Sequence, residues 1–232
     1  MEARRTTGYR HGMISHPFNG TQTAWIPAET DWRIISNMTA QQRIWSVGHS
    51  NHPLEEFINL LTKAEIETVV DVRSQPYSRY TPHFNGPALA SSLAEAQIGY
   101  VFMGDSLGGR PPEPSMYDEE GHVLYSEMAT SERLINGVNA LLDLASRGSV
   151  AMMCSEESPL ACHRRLLISR VLDEGVEVIH LRAKGATISE VAFTAELEAK
   201  NPPTLFQDEE VKVWRSILPV LQNTERGSFS EH

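Results

Sequence analysis

The stretch VAMMCSEESPLACHRRLLISRVL, from Val150 to Leu172, predicts a strand, a short acidic loop and a helix. The apolar run VAMMC is typical of a buried strand that ends at Cys154. Ser158 and Pro159 suit an N-cap and a first helical position. Both cysteines of the chain lie in this stretch, which makes it the centre of the predicted fold and of the predicted site.

The same alternation recurs upstream. RIWSVGHS reads as a strand, and HPLEEFINLLTKAEI places Leu54, Phe57, Ile58 and Leu61 at helical spacing. TVVDVRS is rich in β-branched residues and predicts a second buried strand. A strand–helix–strand unit implies parallel pairing with a right-handed crossover.

Further segments extend the pattern along the chain. Ser131 caps the predicted helix SERLINGVNALLDLASRG, and Gly148 ends it. ALASSLAEAQ predicts another helix, and YVFM and VEVIHL predict strands. We therefore expect a three-layer, Rossmann-like α/β fold with a mostly parallel sheet over residues 44–183. Residues 1–43 are expected to be an extension that is partly disordered or wraps the surface, and residues 184–232 a helical appendage with two helices.

Composition limits the class of protein. The chain has 232 residues and a net charge of −10, which argues against broad binding to duplex nucleic acid, although nucleic acid stays a possible partner. No apolar run is long enough to cross a bilayer, and the N-terminus lacks the apolar core of a signal peptide. Two cysteines favour a reducing, cytoplasmic location. Cofactors and oligomeric state are left open.

Three chemistry-bearing residues fall at or just past predicted strand ends, namely His49, Arg73 and Cys154. In open α/β sheets, ligands bind outside the carboxyl ends of the strands. We therefore expect these residues to meet at one edge of the sheet.

Helical phase separates Arg164 from Cys162. At the α-helical period Arg164 shares a face with Leu160, Leu167, Val171 and Leu172, so we expect it to point toward the sheet, with Cys162 supporting the helix. A buried arginine needs an anionic partner, which Asp71, Glu156 or a bound phosphate or sulfate would supply.

Two long loops, residues 74–87 and 108–122, add further candidates. Basic side chains from these loops are expected to form a pocket with Arg73, His49 and Arg164, and aromatic side chains are expected to stack on a ring of the ligand. The partner we expect is an anionic small molecule or a nucleotide. The loop residues are Arg79, His83, Arg110, Tyr77, Tyr80 and Phe84.

Three functions fit these residues. The first is an enzyme, a transferase or hydrolase, with Cys154 as nucleophile, His49 or Glu156 moving protons, and a phosphorylated, nucleotide-like or nucleic-acid-derived substrate. Its substrate-binding residues would be Arg73, Arg164, Asp71, Arg79, Arg110, His163 and Tyr77.

The second is a binding or sensing module without turnover. The third is a metal protein using Cys154, Cys162 and His163, although structural zinc sites prefer two to four residues between paired ligands. Cys154 also fits a small buried core residue.

Four motifs carry a family resemblance. GHS after the first strand, DVRS after the second, the SLGG turn and C-S-E-x-x-P-x-x-C-H-R resemble the prokaryotic family catalogued as domain of unknown function 488, over roughly Ile44 to Leu181. The resemblance implies one α/β domain and draws attention to His49, Asp71, Arg73, Cys154, Glu156, Cys162, His163 and Arg164. It implies no reaction. Cysteine phosphatases and rhodaneses also have a strand–Cys–loop–helix, but Arg164 lies ten residues after Cys154, which is too far for their loop.

Overall fold

Six strands form one sheet in the computed structural model, which describes residues 42–172, 175–200 and 213–221. The strand order is β3-β2-β4-β1-β5-β6, parallel throughout except for the antiparallel β6. The predicted three-layer α/β fold with a mostly parallel sheet is confirmed. The strands are β1 Gln42–Gly48, β2 Thr68–Asp71, β3 Gly99–Phe102, β4 Val150–Cys154, β5 Val176–Leu181 and β6 Thr187–Ser189.

Helices cover both faces of this sheet. They are α1 Leu54–Lys63, α2 Gly86–Glu95, α3 Gly104–Leu107, α4 Tyr125–Ala129, α5 Glu132–Ala145, a π-helix Arg164–Ser169 and α6 Glu190–Lys200, with 3₁₀ turns at Pro82–Phe84, Pro114–Met116 and Ala183–Gly185. Within the described ranges, none of these helices has both the length and the apolar character of a membrane span.

Strand β4 divides the core, because its neighbouring side chains point to opposite faces of the sheet. Met153 packs with α1 and α2, in a cluster that includes Phe57 and Leu89. Met152 packs with α5 and the π-helix, in a cluster that includes Leu141 and Leu167. All five residues of β4 are buried, which makes it a central strand with Cys154 at its end.

The segment after Cys154 differs from the expected α-helix. Residues 159–162 form a turn in which the Cys162 N–H donates to the Pro159 carbonyl, so Ser158 is not the N-cap and Cys162 lies outside the helix. The helix that follows is a π-helix, whose wider turn changes the phase of the buried face. Leu160, expected on the inner face, lies in the turn instead and is exposed, whereas Ile168 in the π-helix is buried.

Two other boundaries also differ from expectation. Helix α5 is capped by Ser131 as predicted, but it ends at Ala145 rather than at Gly148, with the Ser146 N–H donating to the Leu142 carbonyl. The sheet continues past residue 183, because β6 pairs with β5.

Of the two helices expected in the appendage, the first is present as α6. It packs on the domain through Glu190, which accepts hydrogen bonds from His180 on β5 and pairs with Arg165. The second is absent over residues 213–221, where the chain is irregular and Arg215 forms an isolated bridge with Leu124. The remainder of that predicted helix and residues 1–41 lie outside the described residues.

Gly48 provides a test of how β1 supports the loop after Cys154. A Cβ placed on Gly48 would lie 1.9 Å from the main-chain oxygen of Glu156, which no side-chain rotation relieves. We expect Gly48→Ala to lower the free energy of unfolding by about 1–3 kcal/mol, measured by urea denaturation.

Gly175→Ala is the matched control, because a Cβ at Gly175 meets nothing within 4 Å. Equal effects of the two substitutions on unfolding would contradict the close packing of the loop on Gly48.

Candidate active site

A cavity of about 760 Å³ opens at the carboxyl ends of β1, β2 and β4. Because β4 lies between β2 and β1 in the sheet, Cys154 sits between Arg73 and His49, and all three line the cavity. The expectation that they meet at one edge is confirmed. The wall also contains Ser50, Asn51, Ser74, Gln75, Tyr77, Ser78, Thr81, Gly109, Arg110, Tyr125, Ser155, Glu156, Ala161, His163, Ser216, Leu218, Pro219 and Val220.

His163 is the histidine that contacts Cys154. Its Nε2 lies 3.0 Å from the carbonyl oxygen of Val72, an acceptor, so Nε2 carries the proton. The other ring nitrogen, Nδ1, therefore faces the sulfurs and lies 3.8 Å from the Sγ of Cys154. Gly109 packs against the ring, with room for a hydrogen but not for a Cβ, which would lie 2.7 Å from the ring. A base oriented by a third group beside a thiol is the arrangement of an activated cysteine.

Cys162 lies beneath Cys154 and belongs to the same cluster. Its Sγ is also 3.8 Å from Nδ1 of His163, and both sulfurs and Nδ1 lie within 4.8 Å of one another. The neighbouring Cys162 thiol, with the nearby His163 and Arg164, lowers the pKa of Cys154 well below its usual value against the opposing effect of burial. Burial and the neighbouring Cys154 raise the pKa of Cys162. Cys154 is therefore the cysteine of the pair that ionises more readily.

Arg164 points toward the sheet, as the helical phase predicted, but it does not line the cavity. It is 1% exposed, and its guanidinium donates to the hydroxyl of Ser46 at 3.0 Å and to the main-chain oxygen of Glu156 at 2.5 Å. Its Nε donates to the Cys162 sulfur at 3.3 Å. The expected carboxylate partner is not found among the described residues, because Asp71 pairs with Arg73 and Glu156 offers its carbonyl. The buried Arg164 guanidinium therefore contacts the Cys162 sulfur where a carboxylate was expected.

Arg73 is held by Asp71 rather than left free for a ligand. Asp71 accepts from Nε at 2.8 Å and from Nη2 at 2.5 Å, and Phe84 accepts from Nη2 through its carbonyl oxygen. Nη1 donates one hydrogen bond to His49. Four of the five N–H groups of the guanidinium are therefore engaged, and one N–H on Nη1 has no acceptor among the described residues. Asp71 is fully buried and also accepts from Tyr100. Arg73 consequently offers a ligand one N–H donor rather than the pair needed for a bidentate contact. Asp71 holds the guanidinium in this position.

His49 was expected to move protons, and its geometry does not support that role. Its Nδ1 donates to the Ser50 carbonyl at 2.8 Å, and its Nε2 accepts from Arg73 at 3.0 Å. Burial and the charge of Arg73 lower its pKa to about 4. The ring also stacks on Phe84 at 4.3 Å between centroids. His49 is therefore a neutral group with both nitrogens engaged, which positions Arg73.

Glu156 retains the features of a proton carrier. Its carboxylate lines the cavity and makes no hydrogen bond or ion pair within the described part of the chain. Partial burial and the neighbouring Cys154 sulfur raise its pKa. The backbone N–H groups of Ser155 and Glu156 likewise donate to no other described residue, so the loop after Cys154 has donors available to a ligand.

The two long loops supply fewer cavity residues than expected. Arg110 and Tyr77 line the cavity, and Tyr77 is 73% exposed at its rim. The other four lie elsewhere: Arg79 and Tyr80 are exposed outside it, His83 contacts the carbonyl of His52, and Phe84 is buried against His49. The cavity thus has fewer basic side chains than the sequence predicted. Among the described residues, Arg110 is the cavity arginine that has no carboxylate partner.

One wall comes from a segment that sequence reasoning assigned to a helix. The indole of Trp214 donates to the Leu166 carbonyl at 2.7 Å, inside the π-helix, and its ring lies under Arg170. Residues 216 and 218–220 then line the cavity, next to the segment that contains the buried Tyr125. In the sequence, Trp214 could have indicated this wall, because a large aromatic residue in an irregular segment is suited to anchor that segment on the domain.

A selective test separates the two histidines. We expect His163→Gln to slow iodoacetamide alkylation of Cys154 more than about tenfold at neutral pH, because an unassisted thiol is only a few per cent thiolate there. His49→Gln should leave the rate within about threefold. Peptide mass spectrometry measures alkylation at each cysteine, and a larger effect of His49→Gln would refute the assignment of His163.

Comparison with known proteins gives a family and no activity. A scan against protein families matches residues 53–171, just over half of the 232 residues, to "Domain of unknown function DUF488". No curated protein and no solved structure matches the chain. The matched range includes DVRS, SLGG and the Cys154–Arg164 motif, whereas GHS precedes it. The chain belongs to the DUF488 family.

Proposed function

We propose that this protein is an enzyme in which Cys154 acts as a thiolate nucleophile and His163 as its base. The observation that carries the proposal is the position of His163 Nδ1, 3.8 Å from Cys154 Sγ with Nε2 held on the Val72 carbonyl. Such a pair converts a weak nucleophile into a strong one without a further group. A transferase or a hydrolase fits this chemistry.

The step transfers one proton and forms one bond. Cys154 attacks as the thiolate, its proton having passed to His163 Nδ1, and the sulfur bonds to an electrophilic centre of the substrate. The bond to the leaving group breaks with its electron pair, and His163 returns the proton to that group, with the Glu156 carboxyl as a second proton carrier. A second nucleophile, water or an acceptor molecule, then displaces Cys154.

The cavity favours a substrate with an anionic group and a ring. Arg110 supplies positive charge, and Arg73 and the Ser155 and Glu156 amides supply N–H donors. Tyr77 offers a ring face at the rim for stacking. A phosphorylated, nucleotide-like compound combines both features and fits a cavity of about 760 Å³.

The charge of the cavity is testable with two alkylating agents that differ only in charge. Iodoacetate is an anion and iodoacetamide is neutral, so a positive cavity raises the ratio of their rates at Cys154. We expect Arg110→Gln to lower this ratio at least about threefold at low salt.

Arg79→Gln is the control, because Arg79 is a neighbouring exposed arginine that does not line the cavity. If both variants change the ratio equally, or neither does, Arg110 does not set the charge at Cys154.

Turnover is tested with p-nitrophenyl esters of acetate, phosphate and thymidine 5′-phosphate. We expect release of p-nitrophenolate from an anionic phosphate ester to start with a burst of one equivalent per chain, because the S-phosphoryl cysteine intermediate accumulates before hydrolysis. Cys154→Ser should abolish the burst. Thermal stabilisation by thymidine 5′-phosphate without any product from these esters would instead favour a binding module.

A further inference from the structure

We propose that Cys154, Cys162 and His163 together bind one Zn²⁺ ion, with a fourth coordination position open to the cavity. The three ligand atoms are the two Sγ atoms and Nδ1 of His163, and all lie within 4.8 Å of one another. The proposal uses the site described above but does not depend on catalysis by Cys154. Zinc and substrate would compete for the same sulfur.

The separations match tetrahedral zinc. Zn–S bonds of about 2.3 Å and Zn–N bonds of about 2.0–2.1 Å at the tetrahedral angle place sulfur and nitrogen roughly 3.6 Å apart. His163 Nδ1 lies 3.8 Å from Cys154 Sγ and 3.8 Å from Cys162 Sγ. Both sulfur–nitrogen separations are therefore within a few tenths of an ångström of the tetrahedral value, and the two sulfurs lie within 4.8 Å of each other.

The surrounding hydrogen bonds also fit a metal site. Histidine ligands donate their second ring N–H to a carbonyl or carboxylate, which fixes the tautomer and leaves the other nitrogen free for the metal. His163 does this through Nε2 and the Val72 carbonyl. Arg164 donates to the Cys162 sulfur, and the structure gives it no carboxylate partner among the described residues. A metal-bound thiolate at Cys162 would satisfy this buried cation.

Loop geometry explains how three ligands with this wide sequence spacing come together. Seven residues separate the cysteines, more than in structural zinc motifs, but Cys162 ends the turn before the π-helix and comes back beneath Cys154. Cys154 and His163 line the cavity, whereas Cys162 does not. Three protein ligands with an open side toward a cavity describe a catalytic rather than a structural zinc site. Two thiolates and one imidazole favour zinc over magnesium or calcium.

The test compares wild type with Cys162→Ser, using the full chain without a histidine tag. Serine keeps a small polar side chain at position 162 but removes a soft ligand. We expect wild type to bind one equivalent of Zn²⁺ in competition with a chromogenic chelator, and Co²⁺ to give a thiolate charge-transfer band. Cys162→Ser should bind Zn²⁺ more than about 100-fold more weakly, since losing a ligand costs more than losing an outer hydrogen bond.

Alkylation separates this proposal from the proposed enzyme. Zn²⁺ should protect Cys154 of wild type from iodoacetamide, and removing the Zn²⁺ with a chelator should restore rapid alkylation. Unchanged zinc affinity in Cys162→Ser, or wild type that takes up no Zn²⁺ and shows no thiolate–Co²⁺ band, would overturn the zinc site while leaving the thiolate enzyme standing. If Cys162→Ser does not fold, judged by circular dichroism, the wild-type cobalt spectrum alone decides.

Discussion

One buried hydrogen bond determines the chemistry of this site. The Val72 carbonyl accepts from Nε2 of His163 at 3.0 Å, although the two residues are 91 positions apart in the chain. This bond fixes both the tautomer and the rotation of the ring, so Nδ1 has to face Cys154 and Cys162. Val72 immediately follows β2, the neighbour of β4, and the parallel pairing of the two strands therefore places the acceptor at the right edge. The register between β2 and β4 therefore determines the orientation of the His163 ring.

Buried charge organises the rest of the cavity. Arg73 is neutralised by Asp71, and His49 is held neutral beside it, so this part of the wall is rigid and carries little net charge. Arg164 lies below the cavity with sulfur, a hydroxyl and a carbonyl as its partners. Burying a cation without a carboxylate is costly unless the neighbouring groups carry negative charge. A thiolate in the cysteine pair supplies that charge, which couples the buried arginine to the reactivity of Cys154.

Sequence reasoning predicted the sheet and the meeting of the strand ends, because both follow from hydrophobic pattern and from the rule for parallel strands. It predicted the inward direction of Arg164 even though the helix is a π-helix, since position 164 starts that helix. It failed where partners are remote or backbone is irregular. His163 could not be chosen over His49 without knowing where the Val72 carbonyl lies. The sequence named Cys154, Cys162 and His163 as a metal-site hypothesis, but their spacing spoke against it because the turn of residues 159–162 could not be foreseen. The Trp214 anchor was missed because it uses a carbonyl within the π-helix.

The most direct test of the thiolate is the ultraviolet absorbance of the metal-free protein at neutral pH, compared with that of Cys154→Ser. The geometry predicts that wild type carries the absorbance of about one thiolate per chain, which Cys154→Ser lacks, because Cys154 is held ionised by its neighbours. Identical absorbance of the two proteins would mean that Cys154 is an ordinary buried thiol, and it would contradict the account of the site given above.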